Sequence, residues 1–200
     1  MRLKHSMACR RPVELSPQIN PMIPTPGHGA LPSGHATEAF MVAHILAELS
    51  KDLEAAVYDQ ENGAANATSG ASSRPKRIWR HQLMRQAARI STNRVIAGVH
   101  FPVDGVAGQV LGTAIAEYFL VRACGTGEWF TGWKFVGDAF GDRDHDWVEI
   151  DRILTGEAVQ TDYLSKRKRC HIPADDLGRG ETIPGPMNWL WKKAKEEWVV

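Results

Sequence analysis

Two histidines in the sequence have neighbours that suit them to proton transfer or to bond formation. His35 ends the stretch Pro-Ser-Gly-His, and His100 lies between Arg94 and Asp104. A carboxylate four residues after a histidine can hold one ring nitrogen, which fixes the tautomer and leaves the other nitrogen as a nucleophile or ligand. His100 and its two neighbours each have a simpler interpretation when taken alone. His100 could be a structural histidine, Asp104 a charge at a helix start, and Arg94 a solvated cation.

The stretch at residues 32–35 predicts the start of a helix with Ser33 as its N-cap. The first N–H groups of such a helix have no internal partner, and they form an anion site with a favourable dipole. His35, in the first turn, would then lie beside the anion as a proton donor or acceptor. The alternative is an ordinary serine cap with an incidental histidine.

Two cations near the start of the chain, Lys4 and Arg11, could complete such a site. They are seven residues apart, with Pro12 following Arg11. This spacing allows both to face one direction across two turns of a helix. If they converge with Arg94, the helix start and the two histidines, the result is a cradle for an oxyanion.

These segments, in this order, resemble the three-part signature of the type 2 phosphatidic acid phosphatase and vanadium haloperoxidase superfamily. The pattern K-x6-RP, PSGH and R-x5-H-x3-D is carried by Lys4, Arg11, Pro12, Pro32, Ser33, Gly34, His35, Arg94, His100 and Asp104. The resemblance spans about half of the chain, from Lys4 to Gly112. It implies a mainly α fold, a helical bundle of the acid phosphatase and vanadium haloperoxidase type with one oxyanion site.

The resemblance also implies a role for each of these residues. Three cations would bind the equatorial oxygens of phosphate or vanadate, helped by the serine and the glycine N–H; these are Lys4, Arg11, Arg94, Ser33 and Gly34. His100 would bond to phosphorus or vanadium, Asp104 would orient it, and His35 would be the acid–base group. Cations and N–H groups supply the positioning and charge stabilisation that phosphoryl transfer needs.

Two neighbouring residues favour the haloperoxidase branch. Ala36 follows PSGH, where acid phosphatases commonly have threonine, and His28 falls where bromoperoxidase-type members carry a histidine. The resemblance thus implies a haloperoxidase-like enzyme that uses vanadate on His100 to oxidise halide, bromide above all, with hydrogen peroxide. The alternatives are a soluble acid phosphatase that hydrolyses a small phosphomonoester through a phosphohistidine without vanadate, and an inactive truncated member.

The composition fits one soluble domain with no charged macromolecular partner. The chain has 200 residues, of which 43% are hydrophobic and 24% charged, and its net charge is +1. Such a balance draws the protein neither to nucleic acid nor to membranes, and no apolar run reaches the ~18 residues of a membrane span. Cys9, Cys124 and Cys170 are widely spaced, which indicates free thiols. Without a signal sequence we expect a cytoplasmic protein, if Met1 is the true start.

Hydrophobic periodicity predicts the helices that must position these residues. We expect a short helix and an extended loop over residues 1–31, then helices over 33–53 and 76–97 and a third from Pro102, with a flexible polar loop at 60–75. On the third helix Gly105, Gly108 and Gly112 predict close approach of another backbone. Its apolar face is predicted to comprise Val103, Val106, Val110, Leu111, Ala114, Ile115 and Tyr118.

We divide the chain into a helical core, residues 1–124, and a C-terminal extension of unknown role, residues 125–200. Because the first motif begins at Lys4, the bundle would lack the N-terminal helices usual in haloperoxidases. Exposed core faces would then favour a homo-oligomer.

Two further stretches suggest other chemistry. Residues 141–147 place His145 among three aspartates but lack the glycine and distal glutamate of a calcium loop, so no metal site is predicted there. The basic run at 165–170 could contact nucleic acid, but the net charge of +1 favours a solvated surface. A nucleic-acid-binding helical domain is a separate alternative, and it would bind DNA in a salt-sensitive way through Arg74, Lys76, Arg77, Arg80, Arg85 and Arg89.

Overall fold

The computed structural model describes residues 2–52, 78–124, 128–172 and 185–198, so the predicted loop at 60–75 lies outside the described residues. The helices are α1 Arg2–Met7, α2 Pro12–Leu15, α3 Gly34–Leu49, α4 Ile78–Ile96, α5 Pro102–Cys124, α6 Gly137–Phe140, α7 Trp147–Thr155 and α8 Pro186–Trp198. Four short strands, β1 Trp129–Phe130, β2 Trp133–Phe135, β3 Leu164–Lys166 and β4 Cys170–His171, form two antiparallel pairs, β1 with β4 and β2 with β3. The mainly α prediction is confirmed.

The centre of the fold is the packing of α3 against both α4 and α5. The predicted helix boundaries are confirmed to within a few residues, because Ser33 caps α3 and Pro102 opens α5. Phe40 and Met84 are fully buried between α3 and α4. The other buried members of this cluster are alanines, which let the helices approach closely, namely Ala36, Ala43, Ala87 and Ala88. Among the described residues no helix is both long and apolar enough to cross a membrane.

Two glycines of α5 make possible its close contact with α3. A Cβ on Gly108 would lie 2.9 Å from the carbonyl oxygen of Ser33, and one on Gly112 only 2.5 Å from that of Thr37. The predicted close backbone approach is therefore confirmed at these two positions. It brings the start of α3 against the start of α5, where the Ser33 N–H donates to the Asp104 carbonyl at 2.9 Å.

Replacing Gly112 with alanine should destabilise the protein by about 2–3 kcal/mol, because the new methyl group must displace the α3 backbone. Urea denaturation followed by circular dichroism would measure the loss. Gly137→Ala is a matched control, since its Cβ would make only an ordinary 3.6 Å contact with Val103. Equal stabilities for the two variants would contradict the close packing of α3 on α5.

The predicted apolar face of α5 is wrong in part. Val106 and Val110 are buried as expected, but Ile115 is 37% exposed. The buried face instead passes through glycines and Gln109 to Ala116. Small residues are needed here because the neighbouring helix lies too close for branched side chains.

The chain beyond α5 packs back onto that helix. Val106 and Val110 form one apolar cluster with side chains of the later elements, namely Phe140, Ile150, Ile153, Leu154, Tyr163 and Leu164. In α8, the Asn188 side chain donates to the Ala123 carbonyl at 2.8 Å. Residues 128–172 and 185–198 thus cover one flank of the helical core.

Two partly buried histidines should make folding stability sensitive to acid. Burial lowers the pKa of both His44 and His145 from 6.5 to about 4. The unfolded chain therefore binds more protons below pH 6.5, so stability is full above pH 6.5 and falls as the pH drops towards 4. The loss should reach roughly 3 kcal/mol per histidine at most. Urea midpoints across pH 4–7.5 would measure it, and His44→Gln should flatten the slope; an unchanged slope would contradict this origin.

Candidate active site

His100 lies at the junction between α4 and α5, where the sequence predicted it. Its Nδ1 is 3.0 Å from Asp104 Oδ2, and the Phe101 N–H donates to the same oxygen at 2.9 Å. Both side chains are almost completely buried, 4% and 2% exposed. Because a carboxylate only accepts, Nδ1 carries the proton and Nε2 keeps its lone pair. The predicted histidine–carboxylate pair is therefore confirmed as a contact.

The electrostatic surroundings keep His100 neutral. Burial lowers the pKa of His100, and Arg11 and Lys4 lower it further, against the opposing effects of the Asp104 hydrogen bond and charge. At neutral pH the imidazole is thus uncharged. A buried neutral histidine with a free Nε2 can act as a nucleophile or as a ligand.

The start of α3 forms the other half of the site. The Ser33 hydroxyl accepts from the Ala36 N–H at 3.4 Å, which leaves the N–H groups of Gly34 and His35 without a helix carbonyl. Apart from its chain neighbours and its own helix backbone, no described residue has an atom within 4 Å of the position that a Cβ on Gly34 would occupy, so the space beside Gly34 is open. Unpaired N–H groups in the first turn of a helix are suited to bind an anion.

Arg11 is 2% exposed and joins three segments of the chain. Its Nε donates to the His28 carbonyl at 3.0 Å and its Nη1 to the Val99 carbonyl at 2.7 Å. Its Nη2 lies 3.2 Å from His28 Nδ1. Since Val99 precedes His100, this guanidinium fixes the loop that carries the catalytic candidate.

The prediction that Lys4 and Arg11 share one helix is wrong. Helix α1 ends at Met7, Ala8 has a positive φ of 47°, and Arg11 is the extended N-cap of α2. A turn between two short helices, rather than a helical repeat, therefore relates the two cations.

Lys4, Arg11 and Arg94 nevertheless lie close enough for their charges to affect one another. Burial lowers the pKa of Lys4, and the charges of Arg11 and Arg94 lower it further, with Asp104 opposing. The Nε of Arg94 is buried and has no hydrogen-bond partner among the described residues. Three mutually repelling cations and an unpaired donor are costly without an anion, and groups of this kind cluster at functional sites.

His28 and His35 are the other two histidines of the predicted site, and they lie beside the cations Lys4, Arg11 and Arg94. His35 is exposed, and its pKa is lowered by partial burial and by Arg94 and Lys4, with Glu38 opposing. His35 is therefore mostly unprotonated at neutral pH and becomes a proton donor in acid. His28 is half-buried, and its Nδ1 can either accept from Arg11 or donate to the Gly29 carbonyl at 3.1 Å, according to its tautomer.

Two residues that the sequence analysis considered for other chemistry, Arg80 and His145, make contacts away from the oxyanion site. Arg80, considered above for nucleic acid, forms two 2.7 Å hydrogen bonds with Asp151. His145, for which the sequence analysis considered and rejected a role as a metal ligand, contacts Ser91 and Gln109 inside the fold. No sequence pattern indicated these contacts, since they join residues 36 or more positions apart.

The PAP2 superfamily is the family whose model matches this chain, over residues 2–123. That span is more than half of the chain and includes every signature residue named above. The chain therefore belongs to the PAP2 superfamily, whose members carry out phosphatase or haloperoxidase-type chemistry on phosphoesters and other oxyanions. Among curated proteins, none matches the chain.

An oxyanion should stabilise the folded protein, because it relieves the repulsion among the three cations. At a concentration of 100 times Kd the gain is about 2.7 kcal/mol, or roughly 5–10 °C in Tm for a chain of this size. Differential scanning fluorimetry with phosphate or orthovanadate would measure it, with chloride at equal ionic strength as the control. An identical shift with chloride would contradict a specific site.

Proposed function

We propose that the chain is a vanadium-dependent haloperoxidase-like enzyme that oxidises halide, bromide above all, with hydrogen peroxide. We favour this activity over phosphatase activity because of the sequence resemblance: His28 falls where bromoperoxidase-type members carry a histidine. Its imidazole lies against Arg11, one of the cations of the cradle. A second imidazole at the edge of the oxyanion site gives a further group for peroxide activation or halide binding.

The residues present fit vanadate. His100 offers an unprotonated Nε2 as ligand, and the buried Nε of Arg94, which has no partner among the described residues, needs an acceptor. Lys4, Arg11 and the Gly34 N–H would hold the oxygens. When bound, vanadate supplies the Lewis acidity that activates hydrogen peroxide.

The protein's own groups then have distinct tasks. Asp104 keeps the proton on Nδ1 of His100 and so keeps Nε2 available. The clustered cations compensate negative charge on the oxyanion. His35 is unprotonated at neutral pH, so it can accept a proton from incoming peroxide.

A second candidate activity is supported by a groove beside His35. Apolar side chains of α3 and α4 form most of this groove of about 340 Å³, and His35 is part of its lining. The groove could hold the organic part of a phosphomonoester. His100 Nε2 would attack phosphorus, the P–O bond to the leaving group would break, and His35 would give that oxygen its proton; water would then release phosphate from His100.

One pair of assays tests both activities. The purified protein is incubated with orthovanadate in phosphate-free buffer and assayed for peroxide-dependent bromination, and in parallel, without vanadate, for hydrolysis of p-nitrophenyl phosphate across pH 4–8. Vanadate-dependent bromination is the expected result. Hydrolysis without bromination would replace our proposal with the phosphatase, and the absence of both would indicate an inactive member.

A further inference from the structure

His145 belongs to the chain beyond the family match, yet its imidazole contacts all three core helices. Its Nδ1 lies 3.2 Å from the Ser91 hydroxyl of α4, and its Nε2 lies 2.7 Å from Gln109 Oε1 of α5. Its ring centroid is 5.9 Å from that of Phe40 on α3. A single side chain from outside the core is therefore placed where α3, α4 and α5 meet.

The direction of each hydrogen bond in this network can be assigned. The Trp147 carbonyl can only accept, and it lies 3.1 Å from Gln109 Nε2, which therefore donates. Gln109 Oε1 consequently faces His145 Nε2, which must carry the proton. His145 Nδ1 is then unprotonated and accepts from the Ser91 hydroxyl. Every polar atom of this network has a partner of the right kind, so the network specifies one arrangement of the helices.

On both α4 and α5, the residues that contact His145 are close in sequence to residues of the oxyanion site. Ser91 precedes Arg94 by three residues on α4, and Gly105 follows Asp104 directly on α5. A Cβ on Gly105 would lie 2.5 Å from Ser91 Oγ and 2.9 Å from His145 Nδ1. The absence of a side chain at Gly105 is thus what admits the imidazole to the place where α4 meets α5.

We propose that His145 is a positioning residue for the oxyanion site: by joining Ser91 to Gln109 beside Gly105, it fixes Arg94 on α4 relative to Asp104 and His100 on α5. Through His145 the C-terminal extension thereby takes part in positioning the site. This inference rests on the proposed oxyanion function. Ser91 and Gln109 are buried and His145 is partly buried between them, so loss of the network would let α4 and α5 shift and would misplace the Nε of Arg94, which has no hydrogen-bond partner among the described residues.

The test is the affinity for inorganic phosphate and for orthovanadate, measured by isothermal titration calorimetry on full-length protein. His145→Ala should weaken Kd by about 10-fold or more, the range seen when groups that support a ligand-binding shell are removed. His171→Ala is the matched control, because His171 is exposed and also belongs to the extension. Each variant is measured at a temperature where circular dichroism shows it to be folded.

Two more variants separate positioning from mere stability. His145→Gln keeps a donor for Gln109 and should recover part of the lost affinity, whereas Ser91→Ala removes only the hydroxyl and should weaken Kd several-fold. If His145→Ala does not fold, these two variants decide. Lower Tm with wild-type Kd in the folded variants would overturn the positioning role and leave the proposed function intact. A wild-type protein that binds neither anion would overturn both proposals.

Discussion

Replacement of His100 by alanine is expected to reduce turnover by about 10³-fold or more, the scale seen when the nucleophile of an enzyme is removed. The reason is that His100 Nε2 is the unprotonated, nucleophilic nitrogen of a neutral, buried imidazole whose Nδ1 donates to Asp104. Among the described residues of the cluster, no other unprotonated ring nitrogen belongs to an imidazole that is held by a buried carboxylate. The loss should appear in whichever activity the protein has, bromination or phosphomonoester hydrolysis.

The same variant should retain most of its affinity for inorganic phosphate, since the cations Lys4, Arg11 and Arg94 remain. Steady-state rates and phosphate titration together would therefore separate chemistry from binding. His171→Ala, which alters an exposed histidine, should leave both unchanged. Wild-type turnover in His100→Ala would show that His100 does not bond to the reacting atom, and the proposed mechanism would be wrong.

Replacement of Arg11 by alanine should cost about 3–5 kcal/mol of unfolding free energy as well as anion affinity. Its guanidinium donates to the carbonyls of His28 and Val99, and each buried carbonyl left without a donor costs roughly 1–3 kcal/mol. The cavity left by the side chain adds to this loss. Urea denaturation would measure the stability, and phosphate titration the affinity.

Arg94→Ala is the informative comparison, because Arg94 is only partly buried and its Nε has no hydrogen-bond partner among the described residues. It should weaken anion binding while costing far less stability than Arg11→Ala. Arg11→Lys should remain nearly as destabilising as the alanine variant, since lysine cannot reproduce the forked geometry of a guanidinium. Equal stability losses at positions 11 and 94 would contradict the structural role assigned to Arg11.

The parts of the site that depend on local sequence could be predicted. Ser33 before Gly34 specifies a capped helix start, and the proline after Phe101 specifies where the next helix begins. The spacing of His100 and Asp104 was enough to predict their contact. These features depend on backbone preferences within a few residues, which a sequence displays directly.

Features that depend on tertiary packing could not be predicted. The relation between Lys4 and Arg11 depends on the positive φ of Ala8, for which alanine has no preference. The exposure of Ile115 depends on which face of α5 is buried, and that face is set by the packing of α3 on Gly108 and Gly112. The contacts of His145 with Ser91 and Gln109 join residues 54 and 36 positions apart, and no local sequence pattern indicates them.

The hydrogen bond from the Ser33 N–H to the Asp104 carbonyl joins the two halves of the site through main-chain atoms alone. Any residue except proline can make this bond at position 33, so side chains are free to vary around it. The packing of α3 on α5 therefore determines where the start of α3 lies relative to His100. A substitution at His28, which is half-buried and takes no part in this hydrogen bond, would therefore leave the relative placement of the two helix starts intact.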